Sequence, residues 1–159
     1  MKSSFLILAY TLCSLFTIAQ GNKKIEIAAL VKITEKADFI SLSKLVAQQG
    51  YIVLDSSVLA NGSFNYITKE PVLKGNTIGC WANSKYEIEG VSFITYRKEL
   101  YEHLKHQIIL LKFNSGGVQK GKLPDMIETE EFEKGNLLIS TGVKKSLGDI
   151  VYEFIFLKW

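Results

Sequence analysis

The side chains best suited to chemistry lie on one predicted helix. His103 and His106, the only two histidines, are three residues apart, and Glu99 and Glu102 lie one turn before them. At 100° per residue these four side chains fall within about one third of the helix circumference. Because zinc accepts imidazole nitrogen and carboxylate oxygen, Glu99, His103 and His106 are candidate zinc ligands with one coordination position left open. The same spacing is typical of the solvated face of an amphipathic helix.

Cys80 is the other residue with reactive chemistry. It lies between Ile78-Gly79 and Trp81, an apolar setting in which a free cysteine usually packs as a small buried hydrophobe. A lone cysteine with distant histidines is also the minimum of a Cys-His pair. We interpret Cys80 as a buried structural residue. The alternatives are a disulfide with a second chain and, after that, catalysis. No motif specifies a reaction, so no catalytic residue is nominated.

Four aromatic residues on predicted strands or beside them are candidates for partner binding: Trp81, Tyr66, Tyr86 and Tyr96. If they lie on a sheet face that the helices leave uncovered, they form a surface suited to a protein or to an apolar ligand. If they lie under the helices, they belong to the core. Both interpretations stay open at this point.

The N-terminal segment predicts export. After Lys2, the run 5–19 is uncharged and rich in Leu, Ile and Phe, and its end, Thr17-Ile18-Ala19, resembles a small-x-small cleavage site. Fifteen residues of helix span about 22 Å, short of the roughly 30 Å hydrocarbon core of a membrane. We therefore predict that residues 1–19 are a signal peptide. The mature protein then starts near Gln20, is secreted or periplasmic, and has no stable membrane insertion.

The mature chain, residues 20–159, has the usual size of one domain. Loss of Lys2 with the signal peptide lowers the formal net charge from +3 to +2, which gives no reason to expect nucleic acid as a partner. Cys13 is lost in the same step, so Cys80 has no partner for an intramolecular disulfide. The fold must therefore be stabilised by packing.

The first half of the mature chain shows one change of period. Apolar residues alternate from Ile25 to Ile33, which predicts a strand with one buried face. Residues 38–49 then follow helical spacing, with Asp38 suited to the N-cap and Gly50 to the C-terminal cap. This segment is predicted to be an amphipathic helix.

A hairpin and a further strand complete this half. The β-rich runs 51–56 and 64–69 are joined through Asn61-Gly62, a strong turn signal, and should pair antiparallel. Residues 76–82 follow as a strand.

The second half of the mature chain shows the same kinds of pattern. The predicted elements are a strand over 86–96 with a bulge near Gly90, a helix over 97–107, and strands over 108–113, 137–141 and 150–159. The last strand is apolar on both faces and is therefore expected to be central. Residues 114–136 are predicted to be a long polar loop, and we favour this loop for a specific function.

Taken together, these elements predict an α+β fold, a mostly antiparallel sheet with two amphipathic helices. The two halves, 25–82 and 86–158, show a similar β-α-β-β-β order, which duplication or chance can explain.

The signal peptide, the single domain and the lack of a catalytic set favour an exported noncatalytic binding module. Its partner would be a protein or a small apolar ligand, and an inhibitor or immunity-type role also fits. The alternative is a small extracytoplasmic metal-dependent enzyme centred on Glu99, His103 and His106. A third hypothesis is a structural role in which Cys80 or an exposed edge strand mediates the formation of oligomers.

Overall fold

The computed structural model describes residues 25–121 and 123–159. The predicted signal peptide and its cleavage site lie outside these residues. The helices of the described part are α1 (Ile27–Lys36), α2 (Phe39–Gln48) and α3 (Lys98–Leu110). Its strands are β1 (Ile52–Val58), β2 (Phe64–Lys69), β3 (Thr77–Ala82), β4 (Ile88–Thr95), β5 (Asn114–Lys120), β6 (Met126–Lys134), β7 (Leu137–Ser146) and β8 (Asp149–Lys158).

All eight strands form one antiparallel sheet in the order β1-β2-β3-β4-β8-β7-β6-β5. Two four-stranded meanders meet where β4 pairs with β8, with Phe93 opposite Phe154. The predicted α+β class with an antiparallel sheet is therefore confirmed. The predicted central position of the last strand is also confirmed, because β8 lies between β4 and β7.

The strand predicted from Ile25 to Ile33 is wrong, because this segment forms α1. Its apolar residues also fit helical spacing, and Ile27, Leu30 and Ile33 are the apolar side chains that α1 buries. The helix ends at Ala37, which adopts a left-handed conformation with φ of 52°. Each meander thus follows a helix directly, and the predicted β-α-β-β-β order of the halves is not the observed order.

Two predictions in the second half are also wrong. Residues 108–113 are not a strand, since α3 continues to Leu110 and buries Ile108 next to Leu104. Residues 114–136 are not a loop but mainly the hairpin of β5 and β6. The alternation of apolar and polar residues that is typical of a strand is hidden in β6, because Glu130 lies on the buried side together with Phe132.

Local signals in the first meander are confirmed. The Asp38 carboxylate caps α2 by accepting a hydrogen bond from the Ser41 backbone N–H at 2.9 Å. The predicted hairpin is the β1–β2 pair, and Gly62 in its turn has φ of 80°. The predicted bulge is present, because Trp81 pairs with Gly90 while the adjacent Ala82 pairs with Ile88.

The core lies between one face of the sheet and the three helices. The helix α1 packs across β4 and β8 and contacts both other helices. Under them, Phe93, Phe154 and Phe156 form the centre of the core, with Tyr101 of α3 at 5.2 Å from the Phe154 ring. Among the described helices, none has the length and apolar character needed to cross a bilayer.

Candidate ligand-binding pocket

A pocket of about 560 Å³ lies where the end of α2, the start of α3 and the β2–β3 loop meet over the sheet. Its size falls in the range of small-molecule sites, roughly 300 to 1,000 Å³. One part of the lining is apolar, namely Ile25, Pro71, Val72, Phe93 and Leu100. The other part is polar, namely Gln49, Glu70, Asn76, Arg97, Glu99 and His103. The pocket thus combines an apolar wall with convergent hydrogen-bonding groups.

The β2–β3 loop holds the polar part in place. The Glu70 backbone N–H donates to the Asn76 carbonyl at 2.9 Å, which closes the loop. Gly75 is needed for this closure, because a Cβ there would lie 2.7 Å from the Glu70 carbonyl oxygen. Glu70 and Asn76 are therefore fixed side by side by the backbone of a tight turn.

Four residues at this end, Tyr51, Glu70, Asn76 and Arg97, are called the pocket cluster below. The Glu70 carboxylate accepts from the Asn76 backbone N–H and from Asn76 Nδ2, each at 2.9 Å, and from the Tyr51 hydroxyl at 3.4 Å. Burial, and then the negative charge of Glu70, raises the pKa of Tyr51 well above its usual range. Tyr51 is therefore a neutral donor at any physiological pH.

Asn76 has one unpartnered atom. The residue is 4% exposed, and its Oδ1 accepts no hydrogen bond from the described residues. The amide orientation is set by Glu70, which offers only acceptors and so must face Nδ2. An acceptor buried without a donor costs about 1 to 3 kcal/mol. The cluster is thus incomplete at this atom.

Arg97 leaves its donors free as well. Its Nη2 lies 3.8 Å from Glu70 Oε1, beyond hydrogen-bond distance, and its side chain is 57% exposed. Its backbone N–H is held by Thr95 Oγ1 at 3.1 Å. Within the part of the chain that the structure describes, the guanidinium of Arg97 donates no hydrogen bond. The pocket cluster therefore contains a buried acceptor without a donor, and exposed donors at Arg97 that make no hydrogen bond within the described residues.

The three predicted zinc ligands are only partly brought together. Glu99 and His103 line the pocket, whereas His106 is exposed and is not part of the lining. The His103 Nε2 lies 3.1 Å from Gln107 Nε2. Because Gln107 Oε1 accepts from the Ile27 N–H, its Nε2 is the donor, and the lone pair of His103 Nε2 is occupied. Across residues 25–121 and 123–159, no group of three His, Cys, Asp or Glu has the arrangement of a metal site. Zinc stays a prediction.

The four candidate aromatics do not form one surface. Trp81 lies on the uncovered face of the sheet, against Gly90. Tyr66 lies on the opposite face, where its ring meets the Phe39 ring edge to face at 5.2 Å. Tyr86 is exposed and lies 5.6 Å from Phe64.

Tyr96 lies near the pocket rather than near Trp81. It follows β4 directly, is half-buried, and has Lys74 Nζ at 6.0 Å from its ring centre. Trp81 alone therefore remains as an aromatic candidate on the open sheet face.

Cys80 is buried, as the apolar context predicts. It is 3% exposed, and burial raises its pKa to about 12. At neutral pH the thiol is therefore protonated and is not a thiolate nucleophile. Because it is buried, it is also not accessible to a second chain.

Comparisons with protein-family models, curated proteins and solved structures find no match. Sequence reasoning missed Tyr51, Glu70, Asn76 and Arg97. The available signal was the pair of polar residues that flank the Pro71–Gly75 turn.

Proposed function

We propose that the protein is an exported, noncatalytic binding module that holds a small molecule in the pocket between its helices and its sheet. The observation that carries this proposal is the incomplete pocket cluster at one end of a cavity with an apolar wall. A structural cluster would be expected to satisfy its own groups. Here the exposed Arg97 guanidinium makes no hydrogen bond within the described residues and is open to a ligand, whereas the unpartnered Oδ1 of Asn76 beside it is buried.

The N-terminal segment supports the exported part of the proposal. The same features agree with a module that binds rather than reacts, because neither Cys80 nor His103 has the free, activated atom that nucleophilic or metal chemistry needs. A protein partner on the sheet face near Trp81 is the weaker alternative, because that face shows no comparable unsatisfied group.

The experiment is a fragment screen by two-dimensional NMR on residues 20–159, which contain every described residue. Binding should shift the amide signals of Asn76, Arg97 and Leu100. The variant Val72→Trp places a large side chain at the pocket wall and should abolish these shifts. The control is Val53→Trp on β1, an equally exposed valine (54% against 58%) that does not line the pocket.

Two results would contradict the proposal. Shifts that appear only outside the pocket, or shifts that survive Val72→Trp, would remove the pocket as the binding site. A metal assay on the same sample tests the alternative: stoichiometric zinc that is lost in His103→Ala would favour the metal-dependent enzyme instead.

A further inference from the structure

Three loops at one end of the sheet each carry an exposed leucine. They are the β2–β3 loop with Leu73, the β5–β6 loop with Leu123 and the β7–β8 turn with Leu147. Leu73 is 93% exposed, Leu123 is 62% exposed and Leu147 is completely exposed. These three side chains are called the leucine tips below.

Two contacts hold the three loops beside one another. Lys74, which follows Leu73, has its Nζ 2.7 Å from Asp149 Oδ1 at the start of β8. The Lys145 backbone N–H, near the end of β7, donates to the Asp125 carbonyl at 2.8 Å. A single exposed leucine is common on a protein surface, whereas a group of them at one end of a fold indicates an interaction surface.

The β7–β8 turn holds Leu147 in an unfavourable conformation. Leu147 has φ of 51° and Gly148 has φ of 88°, and they form the two-residue turn between the paired residues Ser146 and Asp149. The first position of such a turn favours Asn, Asp or Gly, because a leucine with positive φ is strained. A strained and completely exposed leucine adds no packing to the fold, so its apolar side chain is left for a partner.

The exposure and the neighbouring charges favour a lipid surface as this partner. Leu73 and Leu147 protrude from their loops, and a protruding apolar side chain enters a fluid lipid interface without a complementary pocket. An exposed lysine flanks each tip, namely Lys74, Lys120 and Lys145. A lysine stem packs along apolar material while its ammonium group reaches the headgroup phosphates.

We propose that the leucine tips dock this end of the protein on a phospholipid surface. The leucines enter the boundary between headgroups and acyl chains, and the three flanking lysines face the phosphates. Asp125 and Asp149 lie at the same end and limit the excess of positive charge, so the apolar side chains carry most of the binding. The contact is peripheral and does not depend on what the pocket binds.

The test is cosedimentation of residues 20–159 with phospholipid vesicles. This part of the chain lacks the apolar run 5–19, which is hydrophobic enough to bind lipid by itself. One set of vesicles contains phosphatidylcholine alone, and the other contains equal parts of phosphatidylcholine and phosphatidylglycerol. The protein should bind both sets, and it should bind the anionic set more tightly because the lysines add electrostatic attraction.

Leu147→Asn should weaken binding to both sets of vesicles by about tenfold, the factor expected when one leucine side chain no longer enters the apolar layer. Asparagine suits the left-handed turn, so the variant should fold at least as well as the wild type. The matched control is Leu110→Asn, which changes a 67% exposed leucine at the end of α3. Its neighbour Leu111 contacts Lys134 at the other end of the sheet, so the control should bind vesicles like the wild type.

Three results would overturn the inference. The first is a protein that sediments with neither set of vesicles. The second is equal vesicle binding by Leu147→Asn and Leu110→Asn, which would show that the leucine tips make no specific contact with lipid. The third is a dimer that forms without lipid and dissociates in Leu147→Asn, since the tips would then contact a second copy of the chain.

Discussion

Two polar clusters lie under the helices, and they differ in whether their hydrogen bonds are complete. In the second meander, Lys105 Nζ lies 2.6 Å from Glu130 Oε2, and the Ser115 hydroxyl donates to Glu130 Oε1. This ion-pair cluster of Lys105, Ser115 and Glu130 therefore has a donor for each carboxylate oxygen. Within the described residues, the pocket cluster in the first meander leaves Asn76 Oδ1 without a donor and leaves the Arg97 guanidinium, 3.8 Å from Glu70, without a hydrogen bond.

Under the proposed function, this difference separates a structural role from a binding role. A partly buried ion pair with all its hydrogen bonds made ties elements together, and here it joins α3 to the β5–β6 hairpin. We expect a cluster with incomplete hydrogen bonds to contribute less to stability. Substitutions in the two clusters should therefore differ in their effect on the free energy of unfolding.

Lys105→Ala should give the largest effect. The side chains of Lys105 and Glu130 are only 19% and 11% exposed, so the substitution leaves a carboxylate poorly solvated and unpaired. We expect a loss of about 2 kcal/mol in the free energy of unfolding, measured by urea denaturation. Lys98→Ala, on the same helix but exposed and unpaired, should change it by less than about 0.5 kcal/mol.

Equal losses in the free energy of unfolding in these two variants would show that Lys105 contributes no more to stability than an exposed lysine, and that its ion pair with Glu130 contributes nothing. The double variant Lys105→Met with Glu130→Leu sharpens the test. It should recover most of the loss, because replacing both partners with apolar residues leaves no unpaired charge.

The second effect is a pH dependence confined to the ion-pair cluster. Burial raises the pKa of Glu130, but the hydrogen bonds from Lys105 and Ser115 and the positive charge of Lys105 together outweigh burial, so the pKa of Glu130 lies below its usual value. A carboxylate with a lowered folded-state pKa stabilises the fold above its unfolded pKa, about 4.3, and loses this contribution as the pH falls.

Glu130→Gln provides the measurement for that pH dependence. The gap in free energy of unfolding between the wild type and Glu130→Gln should be largest near pH 7 and should narrow by pH 3. Burial lowers the pKa of Lys105, but its hydrogen bond to Glu130 and the neighbouring negative charges together outweigh burial and raise this pKa, so the gap should also narrow above pH 10 or so. A gap that stays constant across this range would mean that the ionised pair does not contribute to stability.

Local signals predicted much of the first meander. Asp38, Asn61-Gly62 and Gly90 each act within a few residues, so the cap, the turn and the bulge could be inferred from the sequence. The segment from Ile25 to Ile33 could not, because its apolar residues fit both periods and packing on β4 and β8 decides between them. The prediction for residues 114–136 was wrong because Glu130 is an inward glutamate, and its burial depends on Ser115 and on Lys105, which lies 25 residues earlier in the chain.

The pocket was harder to predict than the fold. Its polar residues come from separate segments, the end of α2, the β2–β3 loop and the start of α3, which only the tertiary structure brings together. Sequence reasoning found Glu99 and His103 because they share a helix face. It missed Glu70 and Asn76 because the loop that holds them gives no period and no motif.

Asn76→Leu should have the smallest effect on stability and tests the pocket cluster directly. The substitution removes the hydrogen bond from Nδ2 to Glu70 but also removes the unpartnered Oδ1, while the backbone N–H of residue 76 still donates to Glu70. Because these changes oppose each other, we expect urea denaturation to give a change below about 1 kcal/mol. Glu130→Leu is the counterpart in the complete cluster and should cost about 2 kcal/mol, because it leaves Lys105 unpaired. If Asn76→Leu is as destabilising as Glu130→Leu, the pocket cluster is structural after all, and the distinction between the two clusters fails.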